Sequence, residues 1–119
     1  MNSRRKGADG ERELAKVLRK QGHNTRRGQQ YSGANGDADV VGVDGIHIEC
    51  KRVERFMDEP ALKQAERDAR MGEVPVVIYR RNKEQWKVLL RQDIANCIWQ
   101  VLTAQQKEQI CEILKLRTK

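Results

Sequence analysis

GDADVVGVDGIHIECKRVE, residues Gly36 to Glu54, is the stretch on which the reading of this chain turns. Ala38 to Val43 and Ile46 to Val53 have the β-branched, apolar content of strands, and Asp44-Gly45 between them is a hairpin-turn dipeptide. Strand side chains alternate between faces, so Ile46, Ile48 and Cys50 share one face while His47, Glu49 and Lys51 share the other. Glu49 and Lys51 are then neighbours, with Cα atoms roughly 6.5 Å apart. Asp39, Val41 and Val43 share a face of the preceding strand, and the hairpin brings Asp39 close to Glu49 if the two faces coincide. Charged groups thus stand where a strand ordinarily buries apolar ones.

The flanking segments supply the frame. Upstream, a helix is expected from about Gly10 to Gln21, capped by Asp9 and stopped by Gly22, with Leu14, Ala15, Val17 and Leu18 as its apolar stripe. His23 to Arg27 reads as a short strand, and Gly28 to Gly36 as a polar, glycine-rich loop expected to be mobile. Downstream, Asp58 is placed to cap a helix from about Glu59 to Met71, ended by Gly72. The continuous apolar run VPVVIYR, Val74 to Arg80, predicts an interior strand. Asn82 to Glu84 makes a turn, Gln85 to Leu90 a further strand, and Asp93 to Leu102 and Thr103 to Leu116 two helices. Thr103 with Gln106 has the spacing of a capping box. The order predicts an α/β fold, a mixed sheet flanked by helices, in a single domain over residues 1–119 with C-terminal helices from about residue 93. The apolar residues of those helices, including Ile98, Val101, Ile110, Ile113 and Leu114, are expected to complete the core, with a dimer interface as the other reading. Cys97 and Cys111 are expected in the core with them.

The balance of 24 Lys and Arg against 17 Asp and Glu gives a net charge of +7, which favours a polyanionic partner. Candidate phosphate contacts are Arg4, Arg5 and Lys6, then Arg26 and Arg27, Arg52 and Arg55, and Arg80 and Arg81. The aromatic residues are few (Tyr31, Phe56, Tyr79, Trp86 and Trp99), which suits a duplex better than a row of stacked unpaired bases. Three cysteines without CxxC spacing point to reduced thiols rather than a disulfide frame or a zinc site. No apolar run approaches a membrane span, and the N-terminus lacks a secretory h-region. A cytoplasmic protein that is not secreted is expected, in a bacterial, archaeal or phage-infected cell.

One residue of the first helix joins the charged hairpin. At 100° per residue Glu11 points with Leu14, Ala15 and Leu18 towards the core, whereas Glu13 points away. A carboxylate on a packed face is costly unless something neutralises it. Glu11, Asp39, Glu49 and Lys51 therefore form a candidate site for phosphodiester cleavage. Mg²⁺ prefers one or two carboxylates with waters and phosphate oxygens, which casts Asp39 and Glu49 as its ligands. Lys51 is placed to orient the attacking water and stabilise charge at phosphorus. Glu11 would bind a second ion or steady a water. His47 shares the Glu49 face and is read as structural or as a phosphate contact. A surface salt bridge is the bland alternative for the ExK pair.

RKGADGERELAKVLRKQG, GDADVVG and IHIECK together resemble the archaeal and phage type of Holliday-junction resolvase, a branch of the PD-(D/E)XK nuclease superfamily. The resemblance covers roughly Arg5 to Arg81, and the opening helix is its most specific part. It implies a restriction-endonuclease-like mixed sheet and a Mg²⁺-dependent endonuclease, with Mn²⁺ substituting, that acts as a homodimer on four-way DNA junctions. It places the family's helix glutamate on Glu11, its metal aspartate on Asp39 and its ExK pair on Glu49 and Lys51. A loop serine of the family falls on Ser32, and Gln64 on the following helix takes the position of a glutamine found near related sites. Asp37 is a second acid within reach of a water at the ion, or a turn residue. The proline of the superfamily's motif is Ala38 here, which changes backbone shape and removes no ligand. Two symmetry-related nicks need two sites, which a twofold dimer supplies. A repair, nicking or restriction-type nuclease of the same fold stays open, as does a DNA-binding protein without activity.

Overall fold

The computed structural model describes residues 3–29 and 38–118, so Tyr31, Ser32, Asp37 and most of the glycine-rich loop lie outside the described residues. The elements run α1 (Ser3–Lys20), β1 (Arg26–Arg27), β2 (Val40–Val41), β3 (Ile46–Arg52), α2 (Asp58–Asp68), β4 (Val74–Arg80), β5 (Lys87–Leu89), α3 (Gln92–Val101) and α4 (Ala104–Thr118). The strands form one sheet in the order β1-β2-β3-β4-β5. Only the β3–β4 pair is parallel, crossing over through α2; the other neighbours are antiparallel. The sheet is therefore mixed, and VPVVIYR occupies an interior strand, as its continuous apolar character predicts.

Alternation along β3 and β4 splits the core into two layers. Val40, Ile48, Cys50, Val76 and Ile78 face α1 and pack on Leu14 and Ala15. Val77 faces the other way, onto Ala61, Leu62 and Ala65 of α2, with Phe56 and Tyr79 beside it. Glu49 pairs in register with Val77 and Lys51 with Tyr79, so both charged residues belong to the α2 side. The Asp44-Gly45 turn forms as expected: Gly45 has φ +78° and the Ile46 amide donates to the Val43 carbonyl at 3.3 Å. The strand before it is shorter than Ala38 to Val43, because Gly42, at φ +116°, breaks the extended run. That glycine is required there: a Cβ would lie 2.1 Å from the Asn24 carbonyl oxygen.

The first helix corrects the expected start at Gly10. It begins at Ser3, so Asp9 lies within it and pairs with Arg12 at 3.2 Å instead of capping. Gly10 is a packing residue, not a boundary signal: a Cβ there would come within 2.5 Å of the Arg52 Cβ. Asp58 is likewise the first residue of α2 rather than its N-cap, which is Met57, and α2 ends at Asp68, short of Met71.

The largest correction concerns the C-terminus. Neither α3 nor α4 packs extensively on the sheet or on α1 and α2, and no described residue of either is buried. Cys97 and Cys111 are exposed, so the expectation that they and the apolar stripe complete the core is wrong. The layers built on α1 and α2 already hold the buried core of the sheet. The α3–α4 junction itself forms as read: Thr103 Oγ1 accepts from the Gln106 amide at 3.1 Å, and the Thr103 amide donates to Gln106 Oε1 at 2.8 Å. Among the described residues, no helix is long and apolar enough to cross a membrane.

Candidate active site

The hairpin register decides where the acids go. Val40 pairs with Ile48 and the Asp39 amide donates to the Ile48 carbonyl at 3.0 Å, which sets Asp39 across from Glu49 on one face. The two carboxyls hydrogen-bond each other. Asp39 Oδ2 also accepts from the Cys50 amide at 2.8 Å, which fixes its rotamer. A cleft of about 270 Å³ opens over this pair, lined by Glu11, Asp39, Glu49, Lys51 and Gln64, with Lys6 at its margin. Lys51 Nζ donates to Gln64 Oε1 at 3.3 Å, tying the end of β3 to α2.

Glu11 reaches the same cleft from α1, but its carboxylate is engaged: Arg27 Nε donates to Glu11 Oε1 at 2.6 Å. The structure thus brings Glu11, Asp39, Glu49, Lys51 and Gln64 to one cleft, with Asp39 and Glu49 in contact and Glu11 turned onto β1. No group of three His, Cys, Asp or Glu side chains among the described residues stands close enough to hold a metal ion. Ser32 and Asp37 lie outside the described residues.

The pair gathers two acidic groups in a buried setting. Burial raises the Asp39 pKa to about 7, and the charges of Glu49 and Glu11 push in the same direction, against the Cys50 amide. Burial alone would raise Glu49 too. Hydrogen bonds from His47 and from protonated Asp39 outweigh it and hold Glu49 below its ordinary value. One proton shared by two facing carboxyls is the state expected of a pair built to face positive charge. The donors are hard oxygens, and two carboxylates with open space beside them match what Mg²⁺ or Mn²⁺ accepts. The residues fit a divalent cation held by Asp39 and Glu49.

His47 is the residue whose role the sequence left undecided between structure and phosphate binding. It is buried, 3% exposed, and its Nε2 lies 2.9 Å from Glu49 Oε1. On the other side its Nδ1 stands 3.8 Å from Glu73 Oε1. The bond to Glu49 raises the His47 pKa despite burial. The imidazole therefore orients one carboxylate oxygen and leaves the other towards the cleft. Supporting groups of this kind typically tune metal affinity 10- to 100-fold. His47→Asn is expected to weaken Mn²⁺ binding by roughly that factor in calorimetry while the fold survives; unchanged affinity would make His47 merely structural.

The expected phosphate contacts divide into engaged and free groups. Arg80 is held by Glu13 at 2.6 Å and lies over Trp86. Arg81 bonds the Glu54 carbonyl at 3.1 Å and faces Glu84 at 3.6 Å. Arg52 donates to Asn82 Oδ1 at 2.5 Å. Arg27 is committed to Glu11, and Arg26 donates to the Arg27 carbonyl at 3.5 Å. Arg5 and Arg55 are exposed. The Arg4 side chain lies outside the described residues.

These features place the chain among the PD-(D/E)XK nucleases, and comparison with known proteins agrees. Residues 2–117 match the profile of the family described as "Phage putative PDDEXK endonuclease". The chain belongs to that family, and its sheet is the restriction-endonuclease-like one expected from the sequence. A solved structure of Hjc from Archaeoglobus fulgidus, a Holliday junction resolvase from an archaeal hyperthermophile, superposes with a TM-score of 0.55 over 68% of this chain and 74% of that one. At 21% identity that likeness concerns the fold alone. No curated protein matches significantly.

Proposed function

We propose that the protein is a divalent-metal-dependent endonuclease that resolves four-way DNA junctions, acting as a homodimer with its whole length as one nuclease domain in the cytoplasm. The observation that carries the catalytic part is the buried Asp39–Glu49 pair beside Lys51 in an open cleft. In hydrolysis, water adds to phosphorus, one ester P–O bond breaks, and the water's proton is taken up while the leaving oxygen gains one. A bound Mg²⁺ supplies polarisation of the phosphoryl oxygen and a lowered water pKa. Asp39 and Glu49 hold positive charge beneath the phosphate. Lys51, steadied by Gln64, directs its ammonium at charge developing on phosphorus. Glu11 joins only after leaving Arg27. Ser32 and Asp37 are expected to contribute in the roles that the resemblance implies.

Support for the dimer comes from the C-terminal helices. Ile98, Trp99, Val101, Ile110, Ile113 and Leu116 are between 39% and 79% exposed. At roughly 100 Å² apiece they approach the ~800 Å² that each partner gives to a standard interface. From Gln92 onward, four basic residues stand against three acidic ones, so this end of a chain of net charge +7 is nearly neutral. A second copy, with both signs of charge on α4, fits that surface better than DNA does.

A cleavage assay tests the reading: a four-way junction against a matched linear duplex, with Mg²⁺, Mn²⁺ or EDTA. Paired nicks in the junction, absent with EDTA, are expected, and equal cutting of both substrates would favour a repair or restriction-type nuclease. In sedimentation, the wild type is expected as a dimer and Ile113→Asp as a monomer.

A further inference from the structure

We infer that the sugar-phosphate backbone of one DNA strand leaves the cleft along the outer face of α2, held by Arg55, Lys63 and Arg67; the inference rests on the nuclease reading. Three hollows run in series. The cleft shares Lys51, Val53 and Gln64 with a second hollow of about 220 Å³ that adds Arg55 and Phe56. That hollow shares Pro60 and Gln64 with a third, of about 540 Å³, lined also by Lys63, Arg67 and Glu59, whose carboxylate is paired with Arg91. Pro60, Lys63, Gln64 and Arg67 lie at i, i+3, i+4 and i+7 on α2, which is one helix face. Lys63 and Arg67 are about 6 Å apart along the axis at 1.5 Å per residue, a step comparable to the spacing of successive phosphates.

Charge separates this track from the rest of the basic surface. Arg27, Arg80 and Arg81 are each tied to a carboxylate. Arg55, Lys63 and Arg67 enter none of the ion pairs among the described residues, and all three are exposed. Two of the nearby acids are engaged by another cation. Glu59 and Glu66, on the same helix, converge on Arg91 at 2.6 and 2.9 Å. Arg91 therefore engages two of the four acidic residues of α2, Glu59 and Glu66, while Lys63 and Arg67 form no ion pair of their own among the described residues. Phe56, stacked on Tyr79 with centroids 3.8 Å apart, gives the second hollow a rigid apolar wall suited to a sugar. The result is a run of cations that begins at the reacting phosphate and continues in one direction.

The test compares the wild type, the triple variant Arg55→Ala, Lys63→Ala, Arg67→Ala, and a control with Lys16→Ala and Lys20→Ala on α1. Binding to a junction and to a linear duplex is measured by fluorescence anisotropy in EDTA across a salt series. The triple variant is expected to bind at least 10-fold more weakly, with a log–log salt slope shallower by about 2–3. The control is expected to shift little. Wild-type affinity and slope in the triple variant, or an equal loss in the control, would overturn the track and leave the nuclease reading standing. Weaker binding by the variant of a wild type that never cuts would support the track while removing the catalysis. A wild type that binds no DNA would overturn both.

Discussion

Asp39→Asn is expected to abolish cleavage and, in metal-free protein at pH 8, to raise the melting temperature by roughly 5–10 °C. Asp39 has a folded pKa of about 7 against 3.8 in an unexposed-to-neighbours reference, so the folded state binds its proton more tightly than the unfolded chain. Its contribution to stability is complete below pH 3.8 and is lost as pH climbs to about 7. His47, raised above 6.5, acts in the same sense: its contribution is present below 6.5 and lost at higher pH. Glu49, held below 4.5, acts oppositely, contributing above that value and losing its contribution as pH falls. Between pH 5 and 8 the metal-free protein should therefore lose stability, on the order of a few kcal/mol. Asparagine carries no charge to repel Glu49 and still offers an oxygen to the Cys50 amide. Mg²⁺ or Mn²⁺ should stabilise the wild type more at pH 8 than at pH 5, because the cation replaces a proton. A flat thermal profile from pH 5 to 8, or no gain in Asp39→Asn, would show that the two carboxyls do not share this strain.

Glu49→Gln and Lys51→Ala are each expected to slow junction cleavage by about 10³-fold or more while binding in EDTA stays within a few-fold of wild type. Glutamine keeps an oxygen for His47 and the shape of the pocket, so the loss reports charge rather than packing. Lys51→Ala removes the ammonium that bonds Gln64 beside the acids, without touching the core layers. Single-turnover measurements at saturating protein separate this from any loss of affinity. Cutting at the wild-type rate by either variant would remove the assigned chemistry.

The central sheet was legible because hydrophobic alternation, the Asp44-Gly45 turn and the run from Val74 to Arg80 all agree on it. So was the meeting of Asp39 with Glu49, since the turn fixes the register and the register fixes the face. Glycine misled at Gly10: its meaning depends on a contact with Arg52, and long-range contacts leave no local mark. The engagement of Glu11 by Arg27, and of Arg80 by Glu13, was hidden for the same reason. Helical periodicity marked an apolar stripe in α3 but could not say what it faces, because amphipathicity looks alike on a core helix and on one awaiting a partner, and the apolar residues of α4 are not gathered on one face. The role of His47 needed the geometry of its bond to Glu49, which alternation along the strand places on the same face but does not show to be made.

Gly10 constrains how the site can rearrange. With no gap between α1 and the Arg52 side chain, the helix that carries Glu11 is wedged lengthwise against its strand. If Glu11 is to approach the facing acids, rotation about its own side-chain bonds is the route that leaves this close packing undisturbed. Side-chain rotation of this kind is typically far faster than a domain movement, so such a recruitment would need no hinge.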